Sequence, residues 1–316
     1  MPSPAEKRTW PSAASVEDIL ASSFAGFDDG IVVDVTAAEG MEMPLEAALR
    51  HGWGVVLANK KPLTVPLPRY RQLMVAAGRR LRYEATVGAG LPVIATLQTL
   101  LDTGDQVQRV EGCLSGTLGY LSHCLQEEMA FSAAVREARA RGYTEPDPRQ
   151  DLSGLDVARK ALILARTLGL ELELGDVQVE ALFPAEMAAL SVEEFMASLE
   201  RLDGEYKQRM AAARGRGCLL RYVAEVEEGR CRVGWREVGR GELMAVLRGP
   251  DNIVCFHTAR YSAHPLVLIG PGAGPEVTAA GVLGDILALA QHRRPRAGCP
   301  SGLGCVVSFC IGRSIP

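Results

Sequence analysis

Four acidic residues lie close together between Gly142 and Lys160, in the run Gly-Tyr-Thr-Glu-Pro-Asp-Pro-Arg-Gln-Asp-Leu-Ser-Gly-Leu-Asp-Val-Ala-Arg-Lys. The two prolines fix the backbone and bias the residues before them away from helical geometry. The pattern therefore predicts a rigid acidic turn that leads into a helix, with Asp151 or Ser153 as the N-terminal cap of that helix.

Asp156 and Lys160 are the groups in this helix that could take part in acid–base chemistry. They are four residues apart, so they share one helix face. The alternative is an exposed ion pair, which contributes about 0.3–0.5 kcal/mol to stability. A rigid acidic turn is an unusual way to build a solvated face, and it favours the functional interpretation.

The part of the chain before this segment alternates apolar strands with helical patterns. Compact apolar runs predict buried strands, and periodic segments between them predict helices. The predicted strands cover residues 30–36, 55–58 and 81–86, and the predicted helices cover 15–24, 43–51 and 70–78. This alternation indicates an α/β fold with a doubly wound parallel sheet and right-handed crossovers.

A different pattern begins at residue 107, where apolar and polar residues alternate as in a half-buried strand. Two strands at 219–226 and 231–238 predict a hairpin across Glu-Glu-Gly-Arg. Further strands are predicted at 177–183, 253–257 and 266–269, and helices at 131–141, 192–202 and 204–214. The pattern of this part therefore predicts a mixed sheet covered by helices.

Two polar segments follow predicted strands of the parallel sheet. Thr36 offers a hydroxyl, and Lys60 in Asn-Lys-Lys offers a cation. Doubly wound sheets place ligands beyond the carboxyl ends of their strands, so these side chains are candidates for a ligand site. The alternative for Lys60 is an exposed loop lysine.

The Gly142–Lys160 motif resembles the catalytic segment of homoserine dehydrogenases, in particular the dehydrogenase half of bifunctional aspartokinase–homoserine dehydrogenases. The resemblance runs from about Ile31 to Gln291. It implies an NAD(P)-dependent interconversion of L-homoserine and L-aspartate 4-semialdehyde, a step in threonine, methionine and isoleucine biosynthesis. The implied architecture is a truncated Rossmann-like sheet with a second α+β catalytic and dimerisation domain.

The same resemblance assigns roles to individual residues. Lys160 matches the proposed proton donor, and Asp156 lies beside it. The implied substrate-binding residues are Glu145, Lys60 and Asp151, and the implied cofactor-binding residues are Thr36, Lys60 and Gly274. Members of the family also hold a monovalent cation, Na⁺ or K⁺, at a loop that matches Glu84, Val87, Ala89 and Leu91. Apart from Glu84, these residues would bind the cation through their main-chain carbonyls.

The implied organisation has four parts. Residues 1–28 form a divergent or disordered lead, 29–106 with 271–291 a partial NAD(P)-binding domain, 107–270 the catalytic and dimerisation domain, and 292–316 a divergent tail. The family also implies a homodimer formed through the second sheet. We expect a cytoplasmic protein, or a plastid protein if the source is a plant or alga.

One feature of dinucleotide-binding folds is missing. Such folds begin with a strand, Gly-x-Gly-x-x-Gly and a helix, so that the pyrophosphate lies on the helix N-terminus. No such motif precedes Ile31. A non-catalytic remnant that folds and dimerises without binding nucleotide is therefore an alternative, and a different α/β dehydrogenase with the same cleft is a third.

Composition excludes other classes of protein. A net charge of −4 and a pI near 5.8 argue against a nucleic-acid-binding protein, which would be basic. Mean hydropathy is +0.07, and the sequence contains no run of 18 apolar residues, so no membrane span is predicted. The eight cysteines form no Cys-x-x-Cys pair, which favours reduced thiols over a zinc site.

Overall fold

The computed structural model describes residues 15–247, 249–291 and 305–309, and it contains two β-sheets. The first is a four-stranded parallel sheet. Its strands are β1 (Gly30–Asp34), β2 (Gly54–Leu57), β3 (Leu81–Arg82) and β10 (Cys305–Phe309), in the spatial order β10-β1-β2-β3. The predicted α/β class with a parallel doubly wound sheet is confirmed.

Helices cover this sheet because its central strands are apolar on both faces. Val32, Val55 and Leu57 belong to one core, whereas Ile31 and Val33 face a second cluster that includes side chains of the last helix. The helices of this part are α1 (Val16–Gly26), α2 (Glu42–Arg50), α3 (Leu67–Ala77), α4 (Val93–Asp102) and α11 (Pro275–Gln291).

The second sheet has six strands in the order β5-β7-β6-β4-β8-β9. They are β4 (Val107–Cys113), β5 (Gln178–Val179), β6 (Cys218–Glu227), β7 (Arg230–Gly239), β8 (Asp251–Thr258) and β9 (Leu266–Pro271). The predicted hairpin is confirmed, with Leu219 opposite Val238 and Val226 opposite Cys231.

Helices pack on one face of this sheet and form the large core of the chain. A smaller apolar cluster on the strands, with Val223, Ile253 and Cys255, is covered by the segment around Met244. The helices are α5 (Gly116–Gln126), α6 (Phe131–Ala140), α7 (Arg149–Leu152), α8 (Leu155–Thr167), α9 (Val192–Ser198) and α10 (Asp203–Gly215).

Three strand predictions were too long. The strand predicted at 30–36 ends at Asp34. The strand predicted at 81–86 ends at Arg82, and a 3₁₀ turn (Glu84–Thr86) follows, because the N–H of Glu84 donates to Asp285 instead of a neighbouring strand. The strand predicted at 177–183 is limited to Gln178–Val179. Beyond it, tyrosine hydroxyls rather than a strand satisfy the carbonyls of Glu180 and Leu182.

Strand β10 was not predicted from the sequence. It pairs in parallel with β1, with Cys305 opposite Gly30 and Phe309 opposite Asp34. The rest of the predicted tail (292–304 and 310–316) and the first 14 residues of the predicted lead lie outside the described residues. In the described part of the chain, no helix combines the length and apolar character needed to cross a bilayer.

Candidate active site

Two lysine ammonium groups converge on the carboxylate of Asp156. Lys60 Nζ lies 3.2 Å from Asp156 Oδ1, and Lys160 Nζ lies 2.9 Å from Asp156 Oδ2. Lys160 also donates to the carbonyl of Leu114 at 2.7 Å, and its side chain is only 12% exposed. The Asp156–Lys160 pair is therefore not the fully exposed ion pair of the alternative, because Lys160 is mostly buried, although the side chain of Asp156 is 43% exposed. Lys60 is half-buried, with 28% of its side chain exposed, and is not an exposed loop lysine.

The charges of this group perturb one another. Burial of Asp156 alone would raise its pKa, but the ammonium groups of Lys160 and Lys60 hold the pKa well below its usual range. The pKa of Lys60 is lowered, first by burial and further by the charge of Lys160, although Asp156 opposes this shift. Asp156 is therefore ionised at neutral pH, and Lys60 loses its proton more easily than an exposed lysine.

The helix that carries Asp156 and Lys160 begins without the predicted side-chain cap. Gly154 is its N-cap residue and has a φ of 73°. A Cβ at this position would overlap the hydroxyl of Tyr222, so only glycine fits. Asp151, one of the two predicted caps, instead points toward the acidic turn. The hydroxyl of Ser153, the other, accepts the N–H of Leu155 and donates to the carbonyl of Gln150.

Asp151 supports the backbone next to Glu145. Its Oδ2 accepts the N–H of Glu145 at 2.9 Å, and its Oδ1 lies 3.2 Å from the hydroxyl of Thr117. Thr117 in turn donates to the carbonyl of Tyr143 at 2.5 Å. The side chain of Glu145 is exposed and has no partner among the described residues, so its carboxylate can meet a cationic ligand group.

The other acid of the turn is structural. Asp147 accepts two hydrogen bonds from Nε of Arg149 and one from its Nη2, the latter at 2.7 Å. Arg149 also donates to the carbonyls of Ala188 and Leu190 and lies over the ring of Phe195. These contacts anchor the acidic turn to the segment before α9.

At the carboxyl edge of the parallel sheet, Asn59 connects the two predicted polar segments. Its side-chain amide donates to Asp34 Oδ2 at 3.0 Å, and Thr36 donates to Asp34 Oδ1 at 2.7 Å. The side-chain oxygen of Asn59 accepts the N–H of Lys61 at 3.1 Å. This network fixes Thr36 and the backbone around Lys60 at the same edge.

Gly274 stands directly before the long helix α11. Its φ of 113° is unfavourable for other residues, and a Cβ there would have nothing within 4 Å. Its carbonyl accepts the N–H and the hydroxyl of Thr278 at 3.0 and 2.8 Å. Gly274 and the first residues of α11, Pro275 and Glu276, are exposed, so the positive end of the helix dipole is open to solvent, which suits an anion or a carboxamide.

Glu84 joins three segments that pack around the parallel sheet. Its carboxylate accepts the N–H groups of Ile94 and Ala95 at 2.7 and 2.8 Å, and its own N–H donates to Asp285 on α11 at 2.8 Å. Burial raises the pKa of Glu84 to about 7 against the opposing effect of the two amides, and it raises the pKa of Asp285 to about 6.

The remaining residues of the predicted cation loop lie against α11. Val87 is fully buried, and Ala89 has a φ of 55°. The carbonyl of Ala89 is 2.6 Å from where a Cβ of Gly281 would be, and the carbonyl of Leu91 accepts the N–H of Val93 at 2.7 Å. The loop is therefore held in close backbone contact with the helix.

Sequence reasoning missed three groups that support this site. The carbonyl of Leu114 carries no side-chain signal, and the position of Thr117 beside Asp151 depends on the tertiary fold. Asn59 was visible in the Asn-Lys-Lys motif, but nothing in its type indicated that it would bond to Asp34.

The comparison with known families agrees with this geometry. The sequence model of the family described as homoserine dehydrogenase matches residues 92–287, which include both sides of the acidic turn and the start of α11. The chain belongs to the homoserine dehydrogenase family. The predicted resemblance is thereby confirmed.

Similar proteins include both forms of the enzyme. A bifunctional aspartokinase/homoserine dehydrogenase from Haemophilus influenzae is 46% identical over 266 residues, which cover 83% of this chain and 33% of that protein. A homoserine dehydrogenase from Emericella nidulans is 40% identical over 298 residues, which cover 89% of this chain and 81% of that protein. The chain thus spans about a third of the length of the bifunctional relative.

A solved structure shows the same fold with a nucleotide. A hyperthermophilic archaeal homoserine dehydrogenase in complex with NADPH is 25% identical to this chain, with a TM-score of 0.64. The superposition covers 84% of this chain and 72% of that protein.

Proposed function

We propose that this protein is an NAD(P)-dependent oxidoreductase that interconverts L-homoserine and L-aspartate 4-semialdehyde in threonine, methionine and isoleucine biosynthesis. The observation that carries this proposal is the Lys60–Asp156–Lys160 group. It lies where the carboxyl edge of the parallel sheet meets the first turns of α8. Membership in the family supplies the substrate class.

The residues at the sheet edge fit the nicotinamide end of a cofactor. Gly274 leaves room at the exposed start of α11, and the Asp34–Asn59 network holds Thr36 at the same edge as the backbone next to Lys60. We assign Thr36, Lys60 and Gly274 to hold NADP or NAD. When bound, the cofactor would supply the chemistry of hydride transfer to or from the substrate carbon that bears the oxygen.

Lys160 is the proposed proton donor. Its amino group is held between Asp156 and the carbonyl of Leu114, so it is fixed in position next to an ionised carboxylate. In the direction of aldehyde reduction it gives a proton to the substrate oxygen, and in the direction of alcohol oxidation it receives one. Asp156 orients it through this contact.

Glu145 and Asp151 are the proposed substrate-binding acids. The free carboxylate of Glu145 holds the ammonium group of the amino acid. Asp151 fixes the backbone at Glu145 and thereby the direction of that carboxylate. Lys60 completes the substrate side, where its cation neutralises or polarises an oxygen of the substrate.

A monovalent cation, Na⁺ or K⁺, is proposed at the loop of Glu84, Val87, Ala89 and Leu91. Hard cations prefer carboxylate and carbonyl oxygens, which this loop supplies. Glu84 retains free lone pairs after accepting two amides. The cation would hold the loop against α11 and thus help to fix the cofactor edge.

We further propose a homodimer through the second sheet. Exposed apolar side chains lie along β9 and in the segment before β8: Leu243 is 42% exposed, Val246 58% and Ile269 50%. Burial of such side chains against a second copy would stabilise the pair. The proposed compartment is the cytoplasm, or a plastid in a plant or alga.

A cofactor titration tests the proposal against the alternative of a non-catalytic remnant. We expect the protein to quench or shift the fluorescence of NADPH or NADH with saturation below millimolar concentration. A response that stays flat up to millimolar concentrations of both nucleotides would support the remnant instead.

A further inference from the structure

Arg166, in the last turn of α8, contacts the first half of the chain through its guanidinium. Its side chain is fully buried. Nη1 donates to the carbonyls of Leu63 and Val65 at 2.9 and 2.8 Å, and Nε donates to the carbonyl of Leu172 at 3.0 Å. The guanidinium also lies 4.7 Å from the centre of the Tyr70 ring.

Glu173 adds to the contacts that Arg166 makes with the first half of the chain. Glu173 Oε2 accepts from Nη2 of Arg166 at 3.1 Å, while its Oε1 accepts the N–H of Leu67 at 2.7 Å. Leu67 is the first residue of α3. One guanidinium and one carboxylate therefore bind three backbone groups in the segment that runs from Leu63 to Leu67.

That segment follows Lys60 directly. A 3₁₀ turn (Lys61–Leu63) begins there, with the N–H of Leu63 bonded to the carbonyl of Lys60 at 3.1 Å. The carbonyls held by Arg166 are therefore within five residues of Lys60, along a backbone whose hydrogen bonds limit its movement.

Helix α8 carries the opposite half of the site on the same rigid element. Positions 156, 160 and 167 lie on one face of a helix with 3.6 residues per turn. Thr167 bonds to the Tyr83 hydroxyl of the first half at 3.1 Å, so this face of α8 is turned toward the first half along its length. Its first turn presents Asp156, and its last turn holds the backbone next to Lys60.

We infer that Arg166 is a positioning residue that sets the contact between Lys60 and Asp156. For its effect on catalysis the inference rests on the proposed function. The competing explanation is that Arg166 only stabilises the fold. Arginine suits the positioning role because its rigid planar group donates in several fixed directions, whereas a lysine ammonium cannot reach all of these carbonyls at once.

Release of the segment has a measurable effect on Lys60. The charged groups that face Lys60 are Asp156, Lys160 and Arg159, and burial is the main cause of its lowered pKa. If the Leu63–Leu67 backbone moves away from α8, Lys60 becomes more hydrated. Its pKa then rises toward that of an ordinary lysine.

The experiment compares Arg166→Lys with a control, Arg136→Lys. Arg136 also donates to a carboxylate and a carbonyl, those of Glu200 and Met196, but all of these residues lie in the second half. Acylation of Lys60 is followed by peptide mass spectrometry across pH, which gives the pKa without any need for turnover. Thermal melts and the kinetics of homoserine oxidation are measured on the same proteins.

We expect Arg166→Lys to raise the pKa of Lys60 and to lower kcat/KM for homoserine about 10²-fold, as for a misplaced catalytic group. Arg136→Lys should change neither. An unchanged pKa and kcat/KM with a lower melting temperature would overturn the inference. If Arg166→Lys does not fold, Glu173→Ala replaces it, because Glu173 is more exposed and its removal frees the N–H of Leu67. An unchanged pKa of Lys60 in Glu173→Ala would also contradict the inference.

The proposed function and the positioning role of Arg166 can fail separately. If no form oxidises homoserine but the Lys60 pKa still rises in Arg166→Lys, the proposed function is wrong and the positioning role stands. If wild type is active and the Lys60 pKa and kcat/KM are insensitive to Arg166 and Glu173, the reverse holds.

Discussion

The ammonium group of Lys60 lies 3.2 Å from the carboxylate of Asp156, although one follows a strand of the parallel sheet and the other begins a helix of the second half. Neither half alone contains both lysines of the site. The proposed chemistry therefore depends on how the two halves are held together.

Lys160→Ala should lower kcat by about 10²–10⁴-fold, the range for loss of a general acid. Lys160→Arg should not restore the rate, because guanidinium keeps its proton at any working pH and is bulkier. Steady-state kinetics with thermal melts check this. The structure adds a modest loss of stability, because Lys160 is mostly buried and bonds to Leu114. Equal rates in all three proteins would remove Lys160 from the mechanism.

Asp151→Asn should raise KM for homoserine more than it lowers kcat. The substitution weakens the acceptor for the Glu145 N–H, and a lost hydrogen bond of about 1–3 kcal/mol corresponds to an effect of about 5- to 150-fold. Asp203→Asn is a matched control, since Asp203 accepts a backbone N–H and a hydroxyl from Ser132, at the start of α6. A fall in kcat with unchanged KM would contradict the supporting role.

Stability should fall as the pH rises from about 4 to about 7. Glu84 and Asp285 have folded-state pKa values of about 7 and about 6, above those of the unfolded chain, so the folded state binds more protons in this window. A pKa that differs by one between the folded and unfolded states corresponds to about 1.4 kcal/mol. Chemical denaturation across this range should show a smaller slope for Asp285→Asn than for wild type. An identical slope would show that Asp285 does not titrate as described.

Ile269→Asp should convert a dimer into a monomer. Ile269 is half exposed on β9, and a charge there would be costly to bury against a second copy. Sedimentation at micromolar concentration should show a dimer for wild type and a 33.9 kDa species for the variant. Leu283→Asp should leave the dimer intact, because Leu283 lies on the exposed side of α11, which packs on the parallel sheet and not on the second sheet. A wild-type protein that sediments only as a monomer would refute the proposed dimer.

The sequence was sufficient for the elements that depend on local pattern. Buried runs such as Gly30–Asp34 and the β6–β7 hairpin follow from apolar periodicity and a short turn. The predicted strands failed where the backbone bonds to distant side chains. Asp285 accepts the N–H of Glu84 where the third strand ends, and the hydroxyl of Tyr222 donates to the carbonyl of Glu180. Neither partner could be identified from the local sequence.

The site shows the same division. The Asp156–Lys160 pair follows from helical spacing, but the third member, Lys60, joins it only through the packing of α8 against the first half. Gly154 was expected to be part of a capped helix start, and its real constraint is the hydroxyl of Tyr222 on β6. Sequence spacing predicts which residues are neighbours on one helix or strand, but it does not predict which residues of another element lie beside them.

The most direct test of the proposed function is the initial rate of NADP or NAD reduction by the purified protein with L-homoserine, in the presence of Na⁺ or K⁺. We predict a rate that requires L-homoserine, saturates with its concentration and is absent with either cofactor alone. A complete lack of homoserine-dependent reduction with both cofactors, in protein that melts cooperatively, would contradict the proposed function.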